Sequence, residues 1–231
     1  MFYYYGRKKK LVHHYPPPDH RLDTIIEPFA GSAAYALHGN NWTKRVILVE
    51  KDPQVAALWR WLIHEATPQD IRDLPDLKVG DKTSNFLQIL HSASKRAFSY
   101  KTMKVTPVLE MNWGINKHSM IRDLPKVKHW EIIEGDYTMA PDVEATWFID
   151  PPYQGEPGTG YDQSSSGIDY TALGSWCQQR KGEIIVCEGR GAAWLPFQDF
   201  VKFQGVAGKD VVERMHYRGS TELNSILDMF G

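Results

Sequence analysis

The chain has 231 residues, with 27 lysines and arginines against 28 aspartates and glutamates, so its formal net charge is −1. With 42% hydrophobic and 24% charged residues, its composition is that of a folded globular protein and excludes a disordered or fibrous one. The length suits one domain, or one domain that carries an inserted region. Overall neutrality gives no argument for a nucleic-acid partner, so a basic surface would have to be local.

The sequence also bears on membranes, disulfides and metals. No apolar run approaches the roughly 20 residues that a membrane span needs, and MFYYYGRKKK places its charges after its apolar residues, the reverse of a secretory signal. Cys177 and Cys187 are too few for a disulfide framework or a four-ligand zinc site, and their apolar neighbours predict buried free thiols. His13, His14 and His20 lack an ordered ligand spacing, so we expect no metal site.

Five short apolar runs rich in β-branched residues predict the strands of a parallel sheet. They are DTIIEPF (23–29), RVILVEKD (45–52), HWEIIEGD (129–136), TWFIDPPY (146–153) and EIIVCEG (183–189). Helices are predicted between them at 32–38, 53–65 and 169–180. Apolar runs that alternate with helices are typical of an α/β open sheet, mostly parallel, in which ligands bind at the carboxyl ends of the strands.

The strongest of the strand-end motifs is Asp150-Pro151-Pro152-Tyr153, directly after TWFI. The two prolines fix the backbone and donate no hydrogen bonds, which leaves carbonyls free beside a carboxylate. Such an acceptor pair can bridge the two N–H bonds of an amino group, and the Tyr153 ring offers a face for a planar base. The same four residues could also do no more than end a strand in a turn.

Three further strand ends predict contacts to a nucleotide-like ligand. Gly31, in EPFAGS, lets the backbone approach a ligand closely, and the start of the following predicted helix favours an anionic group. Glu50, after VILV, is placed to accept hydrogen bonds from both hydroxyls of a ribose. Asp136, after EIIEG, is positioned to accept a hydrogen bond from an exocyclic adenine amine.

The basic residues are concentrated in one segment, 78–128, which holds ten lysines and arginines against three acids and has a net charge of +7. The rest of the chain has a net charge of −8. Aromatic and amide side chains interleave with the lysines, as in a surface that meets phosphates and base edges. A solvated helical insertion with ordinary surface lysines is the alternative. The candidate DNA-binding residues are Lys95, Arg96, Lys101, Lys104, Asn112, Asn116 and Lys117.

Together these motifs resemble the Dam-like DNA adenine-N6 methyltransferases. The opening Tyr4-Tyr5-Gly6-Arg7-Lys8 is similar to the family's aromatic-x-Gly-x-Lys motif, and EPFAGS, VILVE, GDY and DPPY follow in the family's order. The resemblance implies the Rossmann-like fold of the AdoMet-dependent methyltransferases. It also implies a catalytic domain formed by 1–77 and 129–231, and a small inserted target-recognition region at 78–128.

The resemblance implies a role for each matching residue. Lys8 would lie near the carboxylate of S-adenosyl-L-methionine, Glu50 would hold its ribose and Asp136 its adenine. Asp150 and the carbonyl of Pro151 would grip the target amine, while Tyr153 would stack on the flipped base. Ala33 stands where the family often has glycine. The cofactor-binding set is Tyr4, Tyr5, Lys8, Glu27, Pro28, Phe29, Ala30, Gly31, Ser32, Glu50, Asp136, Tyr137 and Asp150, and the catalytic set is Asp150, Pro151, Pro152 and Tyr153.

The implied function is site-specific methylation of adenine N6 in double-stranded DNA, with a glycine- and serine-rich loop at 154–168 closing over the flipped base. An AdoMet-dependent enzyme acting on RNA adenine or cytosine N4, and a catalytically lapsed AdoMet- or DNA-binding protein, are the alternatives. We expect a cytoplasmic, nucleoid-associated protein without an obligate protein partner, a monomer or weak dimer. A phage or restriction-modification context is the expected setting.

Overall fold

The computed structural model describes residues 1–2, 8, 11–76, 78, 98–99, 104–105, 107–154, 167–204 and 210–219, without side chains at 98–99, 104–105, 107–112, 203–204 and 210. The strands are β1 Thr24–Glu27, β2 Arg45–Glu50, β3 Phe98–Ser99, β4 Lys104–Val105, β5 Glu131–Glu134, β6 Ala145–Ile149, β7 Gly182–Glu188, β8 Gln198–Gln204 and β9 Asp210–Arg218. The α-helices are α1 Pro53–Arg60, α2 Pro68–Asp73, α3 Pro107–Val127 and α4 Tyr170–Gln179. A π-helical turn, Trp61–Glu65, continues α1, and short 3-10 turns span Val12–His14, Asn41–Thr43 and Tyr137–Met139.

Within the described residues, seven strands form one sheet in the order β5-β2-β1-β6-β7-β9-β8. The first five of these pair in parallel, and β9 runs antiparallel to both of its neighbours. Strands β3 and β4 form a separate antiparallel pair. The predicted fold class, a Rossmann-like α/β open sheet with mostly parallel strands, is confirmed.

The strand order reverses between β1 and β6. From β1 the sheet grows outward through β2 to β5, whereas from β6 it grows the other way through β7. Strands β1 and β6 pair with Ile26 opposite Trp147. Such a reversal leaves a crevice beyond the carboxyl ends of the two central strands. Glu27, the last residue of β1, and Asp150, the first residue after β6, lie at this crevice.

Alternate residues of the strands face two apolar layers, as the period of a strand requires. One layer includes Ile25, Val46, Leu48, Phe148 and Cys187, and the other includes Ile26, Ile47, Val49, Trp147 and Val186. Tyr35 stacks on Phe148 in the first layer, with ring centroids 4.3 Å apart. In the second layer Trp176 of α4 meets Trp147 edge-on at 5.5 Å. Both faces of the parallel strands are therefore covered.

Two of the three predicted helices are present. Asp52 caps α1 by accepting from the Gln54 amide at 2.9 Å, and Asp169 caps α4 by accepting from the Thr171 and Ala172 amides at 3.0 Å each. The helix predicted at 32–38 is wrong, because this segment consists of turns. Ala33 there has φ +48°, a left-handed conformation that a right-handed helix cannot include.

Residues 113–127 of the predicted inserted region contribute to the core. Helix α3 buries Trp113, Met120, Leu124 and Val127 in the same apolar layer that covers the sheet, and each is at most 3% exposed. The indole Nε1 of Trp113 also donates to the Pro75 carbonyl at 2.8 Å. The described part of the segment thus begins to act as scaffold near residue 113, inside the boundary at 128 that the charge pattern predicted.

None of the helices in the described ranges combines the length and hydropathy that crossing a bilayer requires.

Candidate active site

The Asp150 carboxylate is paired with an ammonium group from the other end of the chain. Lys8 Nζ lies 2.8 Å from Asp150 Oδ1, and the side chains are 8% and 20% exposed. Burial raises the pKa of Asp150 to about 6, an effect that Lys8 opposes and Glu213 reinforces. The carboxylate is therefore ionised at neutral pH. The resemblance implied that Lys8 contacts the cofactor carboxylate, whereas here its ammonium group is held by Asp150.

The Tyr153 ring is fixed on several sides. The Lys8 ammonium lies 4.4 Å from the ring centroid, a cation–π distance. The Tyr153 phenol donates to Glu213 Oε1. Gly189 lies beside the ring so closely that a methyl group on its Cα would come within 3.1 Å of Cδ2. The ring is thus held in a defined orientation next to the Asp150 carboxylate.

The two prolines of the motif differ in their environment. Pro151 is buried and Pro152 is partly buried. The Tyr170 hydroxyl, at the start of α4, donates to the Pro152 carbonyl at 2.5 Å. The expectation that the carbonyls around both prolines stay free is therefore wrong for Pro152, whose oxygen instead ties the motif to α4.

Two buried carboxylates at this site were absent from the predicted set. Glu188, at the end of β7, accepts from the Gln154 amide at 3.2 Å, the Gly189 amide at 2.8 Å and Trp194 Nε1 at 2.9 Å. Glu213 accepts from the Tyr15 hydroxyl at 2.5 Å as well as from Tyr153. The rule that took the residue ending each apolar run would have found Glu188, since it ends EIIVC. Glu213 lies on an antiparallel strand, to which that rule does not apply.

Glu27 organises the loop that follows β1. Its side chain is buried, and Oε1 accepts from the Ala36 amide at 2.7 Å. Burial raises the pKa of Glu27 to about 8, with a smaller contribution from the nearby Asp150 charge. Within this loop Gly31 has φ +46° and Ala33 has φ +48°. Ala33 thus carries a Cβ in the left-handed region, where glycine is free of strain.

Glu50 joins that loop to the end of β2. Oε2 accepts from the Gly31 amide and Oε1 from the Asp52 amide, each at 2.9 Å. Burial raises the pKa of Glu50 to about 7. The Trp59 indole donates to the Gly31 carbonyl at 2.8 Å from the other side. The Lys51 amide also donates to this side chain, so three of the roughly four acceptor directions of the Glu50 carboxylate are used and one remains for a ligand hydroxyl.

The strand ends of β1 and β5 bring an aromatic pair and a carboxylate together. Phe29 and Tyr137 stack with ring centroids 5.6 Å apart at 27°. Asp136 accepts from the Thr138 amide at 3.3 Å, and its other oxygen lies 3.2 Å from Lys51 Nζ. Phe29, Tyr137 and Asp136 are all partly exposed, so a planar ring could contact them. Pro28, Ala30 and Ser32 are buried and shape the loop.

Several predicted site residues are not available to a ligand in the structure, or lie outside the described residues. The Asn116 side chain is 2% exposed, and its Oδ1 is buried without a hydrogen-bond partner. Lys117 Nζ contacts the Leu74 carbonyl, and lies 3.2 Å from the Arg72 carbonyl and from Asp76 Oδ1. Only the backbone is described for Lys104 and Asn112. Tyr4, Tyr5, Lys95, Arg96, Lys101 and most of the loop at 154–168 lie outside the described residues.

The strand ends of β1, β2, β5 and β6 thus form one edge lined by carboxylates and aromatic rings. Glu50 offers an acceptor direction beside a loop that two left-handed residues turn sharply. Asp150 offers a carboxylate that is ionised at neutral pH and already holds a nitrogen donor. Tyr153 offers an aromatic face on which that nitrogen lies. This arrangement can bind a ligand that combines a planar ring, hydroxyl groups and an amine.

No protein-family model matches the chain. No curated protein matches it either. Among solved structures, the chain is similar to the putative methylase HI0767 from Haemophilus influenzae, with 13% identity over 93% of this chain and 90% of that chain, and a TM-score of 0.41. A likeness at that identity and score carries no argument about activity.

Proposed function

We propose that the protein is an AdoMet-dependent methyltransferase that modifies the exocyclic N6 amine of adenine in duplex DNA. The observation that carries this proposal is the Lys8 ammonium group, bound to Asp150 and lying over the face of Tyr153. A nitrogen donor therefore already occupies the position that the amine of a stacked adenine would take. The resemblance of DPPY and its flanking motifs to the Dam-like enzymes supports adenine as the base.

The edge of the sheet fits S-adenosyl-L-methionine. Glu50 has an acceptor direction for a ribose hydroxyl, while Phe29 and Tyr137 provide aromatic surface beside Asp136 for the adenine. When bound, the cofactor supplies an electrophilic methyl group. The chain's contribution is to hold ribose and adenine at fixed strand ends, so that the methyl group and the acceptor amine meet in one orientation.

Asp150 would act on the target amine as a hydrogen-bond acceptor. The adenine amine is a poor nucleophile because its lone pair is delocalised into the ring. Hydrogen bonds from its two N–H groups to Asp150 and to the Pro151 carbonyl would draw the nitrogen towards tetrahedral geometry and direct its lone pair outward. Tyr153 would stack on the base and offset part of the cost of flipping it, which is a few kcal/mol.

We propose that DNA is bound mainly by the basic residues at 78–112. This stretch retains Lys95, Arg96, Lys101 and Lys104 of the predicted interface. The interior position of Asn116 and the backbone contacts of Lys117 argue against those two as base or phosphate contacts. The expected site preference would come from side chains in this stretch that reach base edges.

Methyl transfer from labelled AdoMet to unmethylated duplex DNA tests the proposal. Digestion to nucleosides should place the label in N6-methyladenine. Label found only in RNA, or in N4-methylcytosine, would reassign the acceptor, and AdoMet binding without transfer to any of these would indicate a lapsed enzyme. The Asp150→Asn variant should lose at least about 100-fold in rate, as expected when a polar contact to the reacting group is removed.

Asp142 provides the matched control for that variant. Its carboxylate is on the surface, 60% exposed, and pairs with Arg180 at 3.1 Å. Asp142→Asn removes the same charge far from the strand ends that hold the motif, so its rate should equal that of the wild type. Equal rates in both variants would refute the role of Asp150.

A further inference from the structure

A carboxylate on the antiparallel strand β9 reaches the proposed acceptor site, which consists of Asp150, the Pro151 carbonyl and Tyr153. Arg214 of β9 pairs with Glu188, the last residue of β7. Because β9 is antiparallel to β7, the residue before Arg214, Glu213, lies beyond the carboxyl end of β7. Asp150, which follows β6, lies at the same end of the sheet. The antiparallel pairing of β9 with β7 therefore places Glu213 at the site. The motifs of the parallel strands do not predict it.

Glu213 is surrounded by polar groups, two of which belong to the acceptor site. Its side chain is 3% exposed, and Lys8 Nζ lies 3.6 Å from Oε1. The same oxygen accepts from the Tyr153 phenol, and from the Tyr15 hydroxyl at 2.5 Å. A buried carboxylate is stable only when it is paired and hydrogen-bonded, so these contacts fix its position.

An incoming amine and Lys8 compete for the same place. Lys8 occupies Asp150 Oδ1 at 2.8 Å and lies over the face of Tyr153 that a stacked base needs. The Lys8 ammonium group is buried. If it moved away from Asp150 and met no other carboxylate, it would be an unpaired charge in an apolar environment, which is costly. The Glu213 oxygen, 3.6 Å away, belongs to a second carboxylate toward which Lys8 can move.

We propose that Glu213 is a positioning residue for methyl transfer, which holds the Tyr153 ring through its phenol and receives the Lys8 ammonium when the target amine binds Asp150. This proposal rests on the proposed function, because the moving amine is that of the target adenine. Glu213 touches neither the base nor the cofactor; it acts through Tyr153 and Lys8.

Two substitutions separate the two parts of this role. Glu213→Gln keeps an oxygen that accepts from Tyr153 but removes the charge that receives Lys8. Glu213→Leu removes both. We expect kcat for adenine in DNA to fall about tenfold in the first variant and about 100-fold in the second, with the KM for AdoMet changed less than about threefold.

Glu183, near the start of β7, offers a matched control at the opposite end of the parallel strands. It is also buried, and it accepts from the Tyr217 hydroxyl at 3.0 Å and the Thr146 hydroxyl at 2.8 Å. Glu183→Gln and Glu183→Leu should lower the melting temperature without changing kcat per folded molecule. If the Glu213 variants lower kcat no more than the Glu183 variants do, Glu213 is only structural and the proposal is overturned.

Coupling between residues provides a second kinetic readout. In Tyr153→Phe the phenol that binds Glu213 is gone, so adding Glu213→Leu to it should cost less in kcat than it does in the wild type. Fully additive losses would show that Glu213 does not act through Tyr153, and would overturn the proposal.

A readout in the free protein keeps the inference separate from the proposed function. With tyrosines labelled at the ζ-carbon, Glu213→Leu should shift the NMR signals of Tyr15 and Tyr153, and Glu183→Leu should shift that of Tyr217. A wild type that methylates no nucleic acid would refute the proposed function, while an unshifted Tyr153 signal would refute the contact of Tyr153 with Glu213. An active wild type with unchanged kcat in Glu213→Leu refutes only the positioning role.

Discussion

Lys8 and Asp150, which are far apart in the sequence, form an ion pair with 2.8 Å between Nζ and Oδ1, and the Lys8 ammonium lies over the ring of Tyr153. The Lys8 ammonium group therefore occupies the place at Asp150 and Tyr153 that the proposed target amine would take. An amine that binds Asp150 exchanges one nitrogen contact for another. The net gain from that contact is then smaller than for an unpaired carboxylate, so under the proposed function stacking on Tyr153 would have to contribute to selection of the base.

The burial of Asp150 predicts the acid side of the pH–rate profile. The proposed role requires Asp150 as a carboxylate, and its pKa is raised to about 6, mainly by burial. The kcat/KM for DNA should therefore fall about tenfold per pH unit below pH 6, since one proton inactivates the free enzyme. Rate measurements from pH 5 to 8, at pH values where the protein stays folded, test this. A profile that stays flat down to pH 5 would contradict it.

Two buried carboxylates predict that the free protein is less stable at high pH. The pKa of Glu27 is raised to about 8 and that of Glu50 to about 7, both chiefly by burial. Since the ordinary glutamate value is about 4.3, the folded state keeps protons that the unfolded chain has released. Their stabilising contribution is complete below the unfolded value and is lost as the pH rises through 7 and 8.

Urea unfolding at pH 5, 7 and 8.5 checks that sign. The free energy of unfolding should fall with pH, by at most about 1.4 kcal/mol per pH unit for each group. Glu27→Gln keeps an acceptor for the Ala36 amide and should flatten the dependence. The exposed Glu144→Gln serves as the control for loss of one carboxylate. A free energy of unfolding that rises over this range would contradict the prediction.

Gly189 sets the position of the Tyr153 ring. A methyl group at residue 189 would come within 3.1 Å of Cδ2, so the ring would have to shift by a few tenths of an ångström. Gly189→Ala should lower kcat about tenfold, because small displacements at a reacting centre are costly, while AdoMet binding stays the same. Steady-state kinetics and calorimetric titration with AdoMet measure the two effects. A weaker AdoMet affinity at unchanged kcat would indicate that Gly189 shapes the cofactor site instead.

The basic stretch predicts the salt dependence of DNA binding. Replacing Lys101 and Lys104 with alanine should weaken binding and reduce the slope of log K against log salt by up to about 2, since each phosphate contact contributes about 0.9. The exposed Lys181 and Lys202, replaced together, provide a control with the same loss of charge elsewhere on the protein. An equal change of slope in both double variants would show that charge alone, and not location, determines the binding.

The sequence predicted the parallel strands well, because each is a short apolar run, and it placed Asp150 directly after the strand that became β6. It failed at 32–38, where the Glu27 side chain bonds the Ala36 amide and Ala33 adopts a left-handed conformation. Composition favours a helix there, but the buried carboxylate of Glu27, at the end of the preceding strand, determines the backbone. Such a contact leaves no periodic pattern in the sequence.

The charge pattern at 78–128 also mixed two kinds of residue. Lys117 and Lys128 look like members of a basic surface, but their ammonium groups bind backbone carbonyls at 3.2 and 2.7 Å. Counting charges along a sequence does not distinguish a lysine that faces solvent from one that caps carbonyls. Glu213 was missed for a related reason: its place at the site depends on the pairing of β9 with β7, and pairing cannot be inferred from one strand alone.

The insertion of β9 between β7 and β8 has a consequence for the order of assembly during synthesis. Strand β8 leaves the ribosome before β9, yet it has no partner in the sheet until β9 is made. Up to that point the outer edge of β7 is open, and the Tyr153 phenol lacks its carboxylate. The nascent chain can therefore complete the crevice between β1 and β6 early, but the surroundings of Asp150 and Tyr153 are complete only after residues 210–218 have left the ribosome.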